Sequence, residues 1–350
     1  VGCGRIAAKY GEILQGEHVR GARLAAACDL RRDRAREFGD KYNIPVYCDP
    51  HDMLEKEPGI DVLCILTPSG LHAEHTIELT GYKKHMVVEK PMALTIDDAD
   101  DMIHACDRAG VRLFVVKQNR YNRPVQKLRQ ALESGRFGRI VMGTVRVRWC
   151  RRQDYYDQDA WRGTWALDGG VFTNQASHHV DLLEWMLGDP VSVFAKSSTT
   201  LVNIEVENSG VAVLQFKNGA LGVIEVTTAT RPRDLEGSLS ILGENGTVVI
   251  GGFAVNEIQT WNFIEPHSED RAIFEETRQD PPNVYGFGHI PYLENVVNCI
   301  QNDEPALVDG LEGRKSLELI SAIYESVETG REVFLRFQPK KCKLGIKHEH

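Results

Sequence analysis

The chain has 350 residues, 42% of them hydrophobic, and a formal net charge of -9, which is enough apolar material for two domains with cores of their own. The acidic balance, without any block of Lys or Arg, argues against a nucleic-acid or anionic-membrane partner, because phosphate binding needs clustered cations. No apolar run approaches the ~20 residues of a membrane span. The eight cysteines (Cys3, Cys28, Cys48, Cys64, Cys106, Cys150, Cys299 and Cys342) lack C-x-x-C spacing, so reduced thiols of a cytoplasmic protein are expected and a metal site is not.

The chain opens inside a motif. Gly2-Cys3-Gly4-Arg5-Ile6-Ala7 fits G-x-G-x-x-A, so a first strand, truncated here, and any targeting segment are expected to lie before Val1. The first glycine permits a tight turn and the second lets the backbone approach a pyrophosphate at a helix N-terminus. Gly2, Gly4, Arg5 and Ile6 are therefore expected beside a dinucleotide. Residues 23–29 read as a strand ending in Asp29, at the distance where a carboxylate meets a ribose hydroxyl. Asp29 could also cap the helix predicted over 31–42, but together with the glycine turn the nucleotide reading is preferred. The Asp29 carboxylate would repel a 2′-phosphate and so favours NAD, although Arg31 and Arg32 follow directly.

Residues 61–66 are a continuous apolar run, stopped by Thr67-Pro68-Ser69-Gly70 and followed by a helix over 71–80. His72, at that loop-to-helix junction, reads as packing or capping rather than catalytic. The next strand, 85–89, must stop at Lys90-Pro91, because proline lacks an N–H and pushes its predecessor out of the α region. Strand ends are where an open parallel sheet gathers its ligands, which aims Lys90 at a crevice. A surface salt bridge with Glu89 explains the same residues. Thr95-Ile96-Asp97-Asp98 resembles a capping box and opens a helix to about residue 109, and 112–116 make another buried strand. This alternation predicts a doubly wound parallel sheet over residues 1–118.

Beyond Gln118-Asn119-Arg120-Tyr121 the grammar changes. A helix over 123–134 precedes strand runs at 140–149, 191–199, 210–216, 220–228 and 237–242. Asn218-Gly219 and Asn245-Gly246 are hairpin turns between such runs. An α+β domain on a largely antiparallel sheet follows, over 119–350. Residues 253–288 have little period and are expected to be irregular, covering substrate or partner. Helices over 292–302 and 314–329 close the chain. After Asp168-Gly169-Gly170, the residues Asn174, His178 and Asp181 recur at intervals of four and three, on one face of a predicted helix. Amide, imidazole and carboxylate there could orient a sugar hydroxyl and take its proton. They could also be a capping cluster in which Asp181 satisfies His178. His179 lies about 100° further round, and no third ligand makes a metal site convincing.

In this order the glycine turn with Asp29, Thr67-Pro68 with His72, Glu89-Lys90-Pro91, and Gly169-Gly170 with His178 and Asp181 resemble the glucose-fructose oxidoreductase/inositol dehydrogenase (Gfo/Idh/MocA) family. The resemblance covers essentially the whole chain. It implies an α/β protein: an N-terminal Rossmann domain, then a C-terminal α+β domain whose open sheet often mediates oligomerisation, here as a homotetramer. It places Thr67, Pro68, Ser69, His72, Glu89, Lys90 and Gln118 around NAD with the glycine turn and Asp29. Within the family, Gln118 to Pro124, Trp161-Arg162-Gly163-Thr164-Trp165, residues 173–181 and Ala229-Thr230-Arg231-Pro232 look like the members that oxidise C3 of UDP-N-acetylglucosaminuronate. Those members serve the diacetamido uronic acids of bacterial surface polysaccharide. One departure stands out: an aspartate is usual where Asn174 stands, and an amide cannot act as a carboxylate base.

On this likeness Lys90, His178 and Asp181 are the expected catalytic residues. His178, of ordinary pKa near 6.5, suits a base; Asp181 would orient its ring, and Lys90 would donate to the developing alkoxide. Lys90 becomes the base instead if its pKa is strongly lowered. Arg120, Arg148 and Arg162 are the cations expected for diphosphate and carboxylate, with structural ion pairing as the alternative. Tyr155, Asn174 and Gln175 are expected at the sugar. The same residues also fit another sugar or inositol dehydrogenase, or a glycoside hydrolase that oxidises transiently with held NAD. A non-catalytic sugar sensor would not need Lys90 and His178.

Overall fold

The protein is described here by a computed structural model over residues 1–277 and 286–335; Cys342 and part of the 253–288 stretch lie outside the described residues. Five short strands form the first sheet: β1 (Ala27–Cys28), β2 (Val46–Tyr47), β3 (Val62–Ile65), β4 (His85–Val88) and β5 (Leu113–Val115). β1 pairs parallel with β2, and β4 pairs parallel with β3 and β5. Val1 and Gly2 join the two pieces. The Gly2 N–H donates to Cys28 O at 2.8 Å, and the Leu66 N–H to Val1 O at 2.8 Å. Counting that segment first, the spatial order is 3-2-1-4-5-6, the doubly wound order whose direction reverses beside the glycine turn.

The helices α1 (Arg5–Gln15), α2 (Arg32–Tyr42), α3 (Pro50–Lys56), α4 (His72–Leu79) and α5 (Ile96–Ala109) connect these strands. α5 starts where its sequence says it should, with Thr95 Oγ1 accepting the Asp98 N–H at 3.1 Å, and ends at Gly110 in the left-handed region.

α6 (Arg123–Glu133), α7 (Gln153–Tyr156) and α8 (Ser177–Leu187) belong to the second half. Its sheet has, among the described residues, eight strands: β6 (Ile140–Arg148), β7 (Pro190–Ser198), β8 (Ser209–Phe216), β9 (Leu221–Thr227), β10 (Glu236–Gly243), β11 (Gly246–Gly251), β12 (Glu257–Phe263) and β13 (Val333–Phe334). Their order is β12-β11-β10-β6-β9-β8-β7-β13. Every pair is antiparallel except β6 with β9. The two Asn-Gly turns link β8 to β9 and β10 to β11, as the sequence predicts. β8 alternates cleanly: Ala212, Leu214 and Phe216 point into a core shared with Leu182 and Leu183 of α8, while Val211 and Val213 face outward beside Phe194 and Leu221. Three further helices follow, α9 (Ile273–Thr277), α10 (His289–Asn302) and α11 (Gly310–Thr329).

Two expectations need correction. The stretch 253–288, read as irregular, contains β12 and α9. In β12 the buried Ile258 and Trp261 stand three residues apart, because the register with β11 shifts between Val249 and Ile250. A bulge of this kind breaks the two-residue period by which a strand is read. The second correction concerns Asn174: α8 begins only at Ser177, so Asn174 lies in the turn before it rather than on its face.

The end of the chain returns to the first sheet. Tyr292, Leu293 and Val296 of α10 pack in one core with Tyr10, Val87 and Phe114. Leu317 of α11 joins the core beneath β3 and β4.

Candidate active site

A cavity of about 1400 Å³ lies where the ends of β3 and β4 meet the turn before α8. Its cofactor wall is made chiefly of backbone. Gly2 has φ +90, and a Cβ there would meet Leu66 C and O at 2.8 Å, so only glycine fits. Gly4 has nothing within 4 Å of its Cβ direction. As N-cap of α1 it brings no side-chain bond, and the first turn holds no acid, which leaves α1's first N–H groups available to a phosphate. Asp29 is held from both sides: Oδ2 accepts the Cys3 N–H and Oδ1 the Arg31 N–H, each at 2.8 Å. Each oxygen keeps a further acceptor site for a ribose hydroxyl. These features fit NAD. Every residue expected around the dinucleotide, from Gly2 to Gln118, lines the cavity. His72 does so with its nitrogens turned away, 2.7 Å from Pro91 O and 2.9 Å from Thr67 O. It ties the loops after β3 and β4 together, and burial keeps its pKa low.

Glu89 is buried at the end of β4. It accepts from the Tyr10 hydroxyl and the Lys90 N–H, each at 3.1 Å, and His289 Nε2 lies 3.7 Å away. Burial pushes its carboxyl upward, but His289 and Lys90 outweigh that and hold it below the usual range. Lys90, joined to Pro91 by a cis peptide, reaches across the cavity. Its Nζ donates to Asn174 O at 2.8 Å and to Asn174 Oδ1 at 3.2 Å. The Asn174 carbonyl accepts from Lys90 Nζ and from the Ser177 hydroxyl at 3.3 Å, and α8 starts after it, at Ser177. Burial pulls the Lys90 ammonium below its ordinary pKa of 10.5, against the upward pull of Glu89 and Asp168.

His178 is 8% exposed, lines the cavity, and its Nδ1 has no hydrogen-bond partner among the described residues. Burial, followed by the neighbouring Lys90 and Lys117 charges, drives its pKa well below 6.5. The imidazole is thus neutral, and the same burial and lysine charges oppose its protonation until one of them changes.

Asp181 is not its orienting partner. Its two oxygens accept a bidentate fork from Arg120, Nε to Oδ2 and Nη2 to Oδ1, both at 2.8 Å, with Lys117 Nζ at 3.6 Å. A guanidinium fork matched to a carboxylate is stronger than a single ring N–H contact. Arg120, in the turn after β5, is consumed by this pair and by Glu312 at 2.8 Å. It lies outside the cavity lining, as does Asp181. The expectation that Arg120 binds substrate therefore fails in this geometry. Arg148 fails similarly, paired on the sheet with Glu225 at 2.7 Å and Glu236 at 3.3 Å.

Arg162, Tyr155, Asn174 and Gln175 do line the cavity. Arg162 Nη1 donates to the Tyr155 hydroxyl at 2.8 Å, while its buried Nε has no hydrogen bond among the described residues and faces Asp159 Oδ2 at 3.5 Å. The sequence reading missed the basic pair Arg151-Arg152, which lines the same wall and whose doubling was a usable signal. It also missed Asp159, which ties Arg34 of α2 at 2.7 Å and has no local signature.

Residues 1–117 match the oxidoreductase family's NAD-binding Rossmann fold, and residues 129–335 match the same family's C-terminal alpha/beta domain. The WlbA dehydrogenase of Bordetella pertussis, whose crystal structure holds NADH and UDP-GlcNAcA, is 44% identical, with TM-score 0.88 over 96% of this chain and 98% of that one. The WlbA dehydrogenase of Chromobacterium violaceum, solved with the same two molecules, is 42% identical, with TM-score 0.89 over 97% and 95%. Myo-inositol 2-dehydrogenase of Thermotoga maritima is 29% identical over 96% of this chain and 97% of its own length. With each half matched in turn and the cavity between them built for a dinucleotide, the chain belongs to the Gfo/Idh/MocA oxidoreductase family and is an NAD-dependent dehydrogenase.

Proposed function

We propose that the protein oxidises the C3 hydroxyl of UDP-N-acetylglucosaminuronic acid to the 3-keto sugar. The observation that carries this reading is 42–44% identity, along nearly the whole chain, to dehydrogenases crystallised with that nucleotide sugar and NADH. The inositol dehydrogenase stands further off at 29%.

A secondary alcohol becomes a ketone by losing a proton and a hydride, and bound NAD is the hydride acceptor. The remaining work falls to side chains. His178, held neutral by burial and by two lysines, takes the hydroxyl proton. The Lys90 ammonium, already directed at the acceptors of Asn174, exchanges one of them for the oxygen as negative charge develops. Preorganised donors of this type are commonly worth ~3 kcal/mol or more. Asp29 and the α1 N-terminus hold the dinucleotide, while Arg162 with Tyr155 faces the anionic parts of the sugar nucleotide. Asp181 contributes from outside the cavity by fixing α8 to Arg120.

In this reading residues 1–118 serve the cofactor and 119–350 the substrate and assembly. The exposed Phe194, Val211, Val213 and Leu221 support a homotetramer built over the open sheet face. The keto product suits amination on the way to diacetamido uronic acids of lipopolysaccharide O-antigen. Seven free cysteines among the described residues are compatible with a cytoplasmic setting. Incubation with NAD and UDP-N-acetylglucosaminuronate, followed by mass spectrometry and NADH absorbance, tests the reading. A 3-keto product supports it; turnover only of a free sugar or inositol would overturn the substrate assignment.

A further inference from the structure

We infer that Asp168 is a positioning residue for Lys90 that acts through the Asn174 side chain, an inference that rests on the reading of Lys90 as the alkoxide's donor. The Asn174 amide stands between two charges. Its Oδ1 accepts from Lys90 Nζ at 3.2 Å, and its Nδ2 donates to Asp168 Oδ1. The other Asp168 oxygen accepts the Gly163 N–H at 2.7 Å. Asp168 is 1% exposed and lies behind the cavity wall rather than on it.

The two ends of an amide side chain are close in shape, so its partners decide which end points where. Turned over, Asn174 would set its NH2 against the Lys90 ammonium, two donors without an acceptor. A carboxylate only accepts, so Asp168 holds the NH2 on its own side and keeps Oδ1 towards Lys90. The charged groups that bear on Lys90 are Glu89 beside it in the chain, Asp168, Lys117 and Arg162, with His178 opposite on α8. Of the two anions, Glu89 also serves Tyr10 and the Lys90 N–H. Asp168 is the anion whose influence arrives through the group Lys90 touches. Burial lifts the Asp168 carboxyl's pKa, opposed by the Gly163 N–H and Lys90.

Donor counting supplies the experiment. In Asp168→Asn the new amide keeps its oxygen on the Gly163 N–H and turns its NH2 to Asn174. Asn174 must then flip and present its own NH2 to Lys90. The expected result is a fall in kcat/KM for UDP-N-acetylglucosaminuronate on the order of 10- to 100-fold, as for lost hydrogen bonds to a charged group. The alkaline limb of the pH profile should also move down, while NADH affinity stays unchanged. Asn174→Asp alone opposes two carboxylates. The exchange variant, Asp168→Asn with Asn174→Asp, gives every donor an acceptor again and puts an anion directly on Lys90. It should recover most of the lost kcat/KM and return the alkaline limb to the wild-type position or above.

The inference is overturned if Asp168→Asn keeps the wild-type kcat/KM and pH profile, or if the exchange is no better than either single variant. Should Asp168→Asn fail to fold, the exchange is compared with Asn174→Asp alone; an exchange variant that also fails to fold overturns the inference, because it preserves every pairing. Wild-type enzyme inert towards the nucleotide sugar would defeat the functional reading, whereas an active wild type matched by Asp168→Asn defeats only this one.

Discussion

The two walls of the cavity are built by different means. The cofactor wall relies on backbone and small residues: Gly2 because no Cβ fits, Gly4 because the helix start is open, Asp29 because two backbone N–H groups hold it. The substrate wall relies on long side chains whose roles depend on which partner claims them. Lys90 and His178 are left facing the cavity, whereas Arg120 and Asp181 claim each other behind it. Chain-local constraints can be read from neighbours in sequence; the partners of a charge are chosen across the whole fold.

Replacement of His178 should produce the largest effect and tests the substrate wall directly. His178→Ala is expected to lower kcat/KM on the order of 10²- to 10⁴-fold, the range for a lost acid–base group, with NADH binding retained because the cofactor wall is separate. The pH profile sharpens the point. A base whose pKa is pushed below 6.5 by burial, Lys90 and Lys117 remains deprotonated down to that lower value. The acid limb of wild-type kcat/KM should therefore fall below pH 6.5 and vanish in the variant. An acid limb that survives in His178→Ala would assign the base elsewhere.

Arg120 separates a binding role from a structural one. Among the described residues, Arg120→Ala leaves the buried Asp181 with Lys117, at 3.6 Å, as its one remaining ion-pair partner. Removing one partner of a buried pair typically costs ~3–5 kcal/mol. The expected outcome is a large fall in unfolding free energy by denaturant titration, with the surviving folded fraction showing an ordinary KM. A stable variant with a strongly raised KM would return Arg120 to the substrate wall.

These residues also show what could be read without coordinates. The glycine turn, the ribose acid, the strand stop at Lys90 and both Asn-Gly hairpins rest on backbone rules that act within a few residues, and the fold class followed from them. β12 escaped because a bulge put its buried Ile258 and Trp261 out of period. The place of Asn174 in the turn before α8 escaped because helical spacing alone does not mark where the helix starts, and its carbonyl's partner Lys90 lies 84 residues away. Spacing put Asp181 and His178 on one helix face correctly, yet said nothing of the Arg120 fork approaching from the turn after β5. Asp168 carried no reading in the sequence, since its partner is an amide six residues on, at no helical or strand spacing.

The smallest expected effect lies where the two walls meet. Arg34 of α2, in the cofactor half, binds Asp159 at 2.7 Å, and Asp159 also lies 3.5 Å from Arg162 in the substrate half. One carboxylate thus touches both sides. The Arg34 and Asp159 side chains are 32% and 20% exposed, and pairs this open to solvent contribute ~0–1 kcal/mol. Asp159→Asn should therefore weaken NADH and nucleotide-sugar binding together, each by no more than about 5-fold. Because exposed charges are screened over about a Debye length, the difference should shrink as salt rises. Calorimetric titration of each ligand at low and high ionic strength measures this. A loss confined to one ligand would mean that the walls are independent and that the clasp belongs to only one of them. Equal, salt-sensitive losses would mean that the side-chain wall leans on the backbone-built one through this contact.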